Sequence, residues 1–127
     1  MLVDMDSHIE AARALIYKAA ASAERNNSGF PDIKLAAQAK IVASEMAIKV
    51  TNDALQTYGA AGYSRRNPLE RMVRDGRMFT IGGGTAQILR TVVASQLLGR
   101  KLPQSRDGYL DLPEAALAKG GTGKGKA

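Results

Sequence analysis

The sequence predicts an all-α protein folded as an up-down helical bundle. Three observations lead there. Apolar residues return every three or four positions over most of the chain. Proline restarts and glycine stops separate those periodic runs, and no stretch alternates as a strand would.

The first predicted helix runs from about Met1 to Asn26, where Met1, Met5, Ile9, Ala12, Ile16, Ala19 and Ala23 form one stripe. Asn26, Asn27, Ser28 and Gly29 make a turn cluster, and Phe30-Pro31-Asp32 restarts the chain, with Asp32 complementing the positive end of the next helix dipole. A second helix is expected from about Asp32 to Tyr58. Its stripe is Ile33, Ala37, Ile41, Ser44, Ile48, Thr51, Leu55 and Tyr58, widened by Val42, Met46 and Val50, and Gly59 and Gly62 are read as its stop. The many alanines on this face let helix axes approach closely. Pro68 opens a shorter helix from Leu69 to about Phe79, ended by Gly82-Gly83-Gly84. A last helix starts near Thr85, carries Ile88, Leu89, Val92, Val93, Leu97 and Leu98, and closes at Gly99.

These stripes are wider than three long helices and a short one can cover among themselves. The sequence therefore predicts further bundle members, upstream or on another subunit, and a homo-oligomer, dimer or tetramer. Residues 1–102 are assigned to the bundle and 103–127, with the run Lys119-Gly-Gly-Thr-Gly-Lys-Gly-Lys-Ala127, to a flexible tail.

Composition removes several function classes. With no cysteine and one histidine, His8, neither a disulfide framework nor a metal centre is expected. No apolar run reaches the roughly 20 residues of a membrane span. The opening stretch from Met1 to Glu10 carries three acids and no lysine or arginine, unlike a signal peptide, so a cytoplasmic protein is expected. The net charge of +6 is compatible with nucleic acid, a membrane surface or an acidic small molecule such as a CoA ester. Nucleic acid is not expected, because basic residues lack interleaved aromatics and part of the excess lies in the tail.

Two glycine-bearing stretches stand out: Gln56-Thr-Tyr-Gly-Ala-Ala-Gly-Tyr63 and Ile81-Gly-Gly-Gly-Thr-Ala-Gln-Ile-Leu-Arg90, joined through Pro68-Leu-Glu-Arg-Met-Val-Arg-Asp75. Glycines just before a helix leave backbone N–H groups bare at its positive end, as in phosphate and oxyanion sites. Thr85 and Gln87 add a hydroxyl and an amide there. On the residues alone, a flexible linker capped by Thr85 remains an equal reading.

In order and spacing, this region resembles the end of the acyl-CoA dehydrogenase family: a glutamine-glycine turn, Pro-x-Glu-Arg, Arg-Asp, then Gly-Thr-x-Gln-Ile opening the last helix. The resemblance is carried by residues 56 to 98 and extends more loosely to residue 1. It implies the C-terminal bundle of an FAD enzyme without its N-terminal helical and middle β domains, inactive by itself. The complete enzyme would act by α,β-dehydrogenation of a fatty or branched acyl-CoA substrate, with an electron-transfer partner. The resemblance also implies that Gln56, Gly59 and Ala60 meet the flavin of a neighbouring subunit. Thr85 and Gln87 would contact the flavin of their own, and Gly83 and Gly84 would face substrate. Ala60 departs from the family, which usually has a second glycine there.

The largest departure is at Gly83, where many members carry the glutamate that removes the α-proton, so no catalytic residue is assigned within the chain. The backbone N–H of Gly83 persists, and in the family that amide polarises the thioester carbonyl. The preferred reading is a base supplied from an earlier helix, as in the isovaleryl- and long-chain-specific types. The alternatives are a different flavin reaction that needs no such base, or a non-catalytic half of a mixed oligomer. A free-standing helical oligomerisation module is the competing account of the whole chain.

Other candidates carry blander expectations. Glu10, Glu24, Glu45 and Glu70 read as solvated or ion-paired rather than as substitute bases. His8 reads as a packed or surface residue, Tyr58 and Tyr63 as core at a helix end, and Arg65 and Arg66 as a solvated loop. Arg74 and Asp75 read as an ion-pair network fixing the short helix.

Overall fold

The computed structural model describes residues 1–25 and 29–104, so the turn at Asn26, Asn27 and Ser28 and the tail beyond Gln104 lie outside the described residues. Four helices follow in order: α1 (Leu2–Arg25), α2 (Ile33–Tyr63), α3 (Leu69–Met78) and α4 (Ala86–Leu98). No strand occurs among the described residues, and the expected all-α class holds. The arrangement centres on α2, which packs against each of the other helices, while α1, α3 and α4 do not pack on one another.

Against α2, α1 buries Met5, Ala12, Ala19 and Ser22. This is a narrower seam than the predicted stripe: Met1 and Ile16 are exposed, because α1 has a single partner helix. Ser22 ties the pair together. Its hydroxyl donates to the Ala19 carbonyl at 2.5 Å and accepts from the Asp32 N–H at 2.7 Å. Asp32 then caps α2, its carboxylate accepting from the Leu35 N–H at 2.9 Å.

The second helix does not stop at Tyr58. Gly59 breaks it with φ 57° and ψ −140°, a conformation only glycine enters readily, and the chain then resumes one more turn to Tyr63. Gly62 is therefore buried inside the resumed turn, not outside the helix. Ala37, Ile41 and Ser44 are buried as expected, whereas Ile33 and Tyr58, the two ends of the predicted stripe, are exposed. At 31 residues α2 is about 46 Å long at 1.5 Å per residue, and outlasts its partners.

Small residues set the closest approaches. Gly76 of α3 lies so near α2 that a β-carbon there would stand 3.5 Å from the Ala47 carbonyl oxygen and 3.5 Å from the Thr51 hydroxyl. Ala86, at the start of α4, is 2% exposed.

Because α1 and α4 lie on α2 without touching, they leave between them an apolar cleft of about 410 Å³, lined by Leu15, Ile41, Val42, Val93, Ala94 and Leu97. Leu97 and Leu98 remain 68% and 52% exposed. The stripes are thus wider than the chain's own helices cover, as the periodicity requires.

Candidate functional site

The glycine run forms an ordered turn between α3 and α4. The N–H groups of Ile81 and Gly82 bond to the Met78 carbonyl at 3.0 and 2.8 Å, and the Ala86 N–H bonds across the turn to the Thr80 carbonyl at 3.0 Å. Thr80 is buried and its hydroxyl bonds to Arg77. Both ends of the turn are hydrogen-bonded, and the Thr85 cap expected from the sequence is present.

Gly83 and Gly84 have φ of 68° and 88°. Two consecutive positive values turn the backbone so that the N–H groups of Gly83, Gly84 and Thr85 find no partner among the described residues. Gly83 and Gly84 are exposed and Thr85 half-buried. The Thr85 hydroxyl accepts from the Ile88 N–H at 3.2 Å, which leaves its own proton free to donate outward. Gln87 is exposed, with no side-chain hydrogen bond among the described residues.

Sequence reasoning missed Lys40. From the middle of α2 its ammonium donates to the carbonyls of Phe79 and Gly84, both at 2.6 Å, anchoring the two ends of the turn. Below the turn, Lys40, Ala43, Ser44, Ala47 and Phe79 line a cavity of about 260 Å³. A signal was available: Lys40 is the only charged residue between Lys34 and Glu45.

Gln56, Gly59 and Ala60 lie elsewhere. Sixteen residues separate Lys40 from Gln56 along α2, about 24 Å at helical rise, so the chain brings Thr85 and Gln87 to one place and Gln56 to another. All three residues of the Gln56 turn are exposed. Beside them Leu55, Tyr63, Arg65, Glu70, Val73 and Arg74 line a cleft of about 450 Å³. Tyr58 and Tyr63, expected in the core, are 61% and 77% exposed. The kink at Gly59 redirects the chain just where their packing would begin.

The remaining candidates resolve simply. Glu10 pairs with Arg13 at 2.5 Å, Glu45 with Arg90 at 2.6 Å and Glu70 with Arg74 at 3.1 Å, while Glu24 is exposed. Arg74 and Asp75 do not pair with each other: Asp75 faces Arg71 at 4.0 Å. These pairs do staple α3 along its own length. Exposed His8 bonds through Nδ1 to the Asp4 carbonyl at 2.5 Å, and Arg65 and Arg66 are exposed. Among the described residues no cluster of metal-ligating side chains occurs, and no helix is long and apolar enough to cross a membrane.

Comparison with known proteins adds to this geometry. Residues 1–98 match the family model for the acyl-CoA dehydrogenase C-terminal domain. A 3-sulfinopropanoyl-CoA desulfinase of Advenella mimigardefordensis is 64% identical over 87% of the chain and 26% of its own length. The probable acyl-CoA dehydrogenase FadE25 of Mycobacterium tuberculosis is 46% identical over 77% of the chain and 25% of its own. Butyryl-CoA dehydrogenase from Megasphaera elsdenii superposes with a TM-score of 0.70 at 42% identity, covering 76% of the chain and 24% of that structure. The chain thus spans about a quarter of the length of the curated relatives it matches.

Proposed function

Because the chain belongs to the acyl-CoA dehydrogenase family, as its C-terminal helical domain, we propose that it works within a longer cytoplasmic flavoprotein whose reaction is desulfination of 3-sulfinopropanoyl-CoA. The observation that carries this reading is Gly83. It has no carboxylate where the family's dehydrogenases commonly hold their base, in a chain 64% identical to a desulfinase.

The chemistry makes sense of that glycine. Dehydrogenation removes one α-hydrogen as a proton and one β-hydrogen as hydride, so it needs a base. Desulfination breaks the bond between C3 and sulfur; water supplies an oxygen to the sulfur, which leaves as sulfite, and a proton takes its place on C3 to give propanoyl-CoA. Both α-hydrogens survive in the product, and the balance is redox-neutral. An electron-transfer partner is then required only by the dehydrogenase reading.

The residues present fit a flavin at both glycine-bearing turns. Among the described residues nothing accepts the Thr85 hydroxyl proton or bonds the Gln87 amide, and both stand where helix N–H groups are bare. Gln56 also has no side-chain hydrogen bond among the described residues, beside a backbone at Gly59 where even a β-carbon would meet nothing within 4 Å. The roughly 24 Å of helix between Lys40, which holds the Gly84 carbonyl, and Gln56 supports the assignment of Thr85 and Gln87 to the FAD of their own subunit, and of Gln56, Gly59 and Ala60 to that of a neighbour, hence a homo-oligomer. When bound in this family's dehydrogenases, FAD supplies hydride acceptance. The N–H groups of Gly83 and Gly84 face the thioester and polarise its carbonyl in either reaction.

The full-length flavoprotein, given 3-sulfinopropanoyl-CoA, is expected to release sulfite, while butyryl-CoA leaves the flavin absorbance unbleached. Bleaching by butyryl-CoA without sulfite release would refute desulfination and return the base to an earlier helix. FadE25, at 46% identity, is a relative that favours that outcome.

A further inference from the structure

We propose that Lys40 is a positioning residue for the thioester site, fixing and polarising the Gly84–Thr85 peptide from the side opposite the substrate. The proposal rests on the glycine turn facing the thioester, as argued above.

The geometry begins with the two carbonyls that Lys40 holds at 2.6 Å, Phe79 at the entry of the turn and Gly84 at its exit. A trans peptide is planar, and its C=O and N–H point in opposite directions. Holding the Gly84 carbonyl on α2 therefore aims the Thr85 N–H away from α2, to the outer side of the turn. That N–H has no partner among the described residues, nor do those of Gly83 and Gly84, the two assigned above to the thioester, whose backbone runs between the two carbonyls that Lys40 holds. A cation on a peptide oxygen also draws charge from the amide and strengthens its N–H as a donor. Among the described residues the ammonium has no carboxylate within ion-pair distance: the salt bridges of its neighbours join Glu45 to Arg90 and Asp53 to Lys49. Its charge stays directed at the turn.

Position is also controlled sterically. Positive φ at Gly83 and Gly84 gives the turn backbone freedom that other residues lack, and few bonds restrain it between the Gly82 and Ala86 amides. Lys40 supplies the missing restraint from a rigid helix. The side chain acts through the peptide and is not placed against substrate, so it is a positioning residue and not a catalytic one.

The test uses the full-length flavoprotein with Lys40→Met, which keeps the stem and removes the ammonium, and with Lys40→Arg, which keeps charge and donors. Expected for Lys40→Met is a fall in kcat of about ten- to a hundredfold, with KM within about twofold and flavin content unchanged, the pattern of an interaction made only in the transition state. Lys40→Arg recovers most of kcat. Amide exchange of Ala86, which bonds across the turn to Thr80 at 3.0 Å, accelerates about tenfold or more in Lys40→Met, as local opening becomes easier. Unchanged kcat in Lys40→Met, or kcat falling only in step with flavin content, overturns the proposal. If the unmodified protein turns over neither 3-sulfinopropanoyl-CoA nor butyryl-CoA, the functional reading fails separately. Ala86 exchange then decides for Lys40: faster exchange supports the anchoring role, and unchanged exchange overturns it.

Discussion

Substituting alanine at Gly62 and at Gly76 should move stability in opposite directions, although both glycines are buried and both are helical. At Gly62 a β-carbon would stand 2.8 Å from the Tyr58 β-carbon and 2.9 Å from the Leu55 carbonyl oxygen. Both distances are too short for real contacts, and both atoms belong to parts of the chain that cannot swing aside. Overpacking of this kind costs about 1–3 kcal/mol, partly offset by the roughly 0.4–1 kcal/mol that alanine contributes by restricting the unfolded chain. Gly62→Ala is therefore expected to destabilise by about 0.5–2 kcal/mol. At Gly76 the nearest atoms would be 3.5 Å away, an ordinary contact, so only the favourable term remains and Gly76→Ala stabilises by about 0.4–1 kcal/mol. Urea midpoints at constant slope, followed by far-ultraviolet circular dichroism, measure both, and the gap between the variants should be about 1–3 kcal/mol. Equal shifts of one sign would refute the reasoning, because they would mean that backbone entropy and not the approach of Gly62 to Leu55 governs these sites. Gly62→Ala should also disturb the Gln56 turn, since relief can come only from the kink at Gly59.

Three further outcomes follow from the same structure. Thr85→Ala loses the cap on Ile88 and should cost about 1 kcal/mol in urea unfolding, with Thr85→Ser close to unchanged. Glu45 and Arg90 join α2 to α4 at 2.6 Å with both side chains about half exposed, so a double-mutant cycle with Glu45→Gln and Arg90→Met should give a coupling below about 1 kcal/mol, smaller still at high salt. The Asp53 carboxylate beside Lys49 raises its pKa above the usual lysine value. Any stabilisation is thus fully present below the unfolded-state value and lost as pH rises through the folded-state one; Asp53→Asn should return the Lys49 Nζ titration, read by NMR, to the usual lysine range.

The helices, their order and their caps were legible in the sequence because they rest on local physics. Periodicity places Met5, Ala12 and Ala19 on one face, Asp32 and Thr85 are residue types that cap, and Gly99 closes α4 as read. The bare donors of the glycine turn were legible because runs of glycine before a helix leave backbone N–H groups without helical partners. Non-local matters were not. Whether Tyr58 and Tyr63 pack or face solvent depends on the direction the chain takes after Gly59, and spacing predicts a stop there, not a kink with a further turn. Lys40 reads as a surface lysine in periodicity, and only when the loop between α3 and α4 folds back on α2, some 40 residues away in sequence, do two carbonyls arrive at its ammonium. The separation of Gln56 from Thr85 is likewise a matter of where α3 returns the chain along α2. Local backbone and capping preferences thus determined what each segment is. The tertiary structure decided which segments meet, because hydrogen bonds and close approaches between distant residues exist only once the helices have packed.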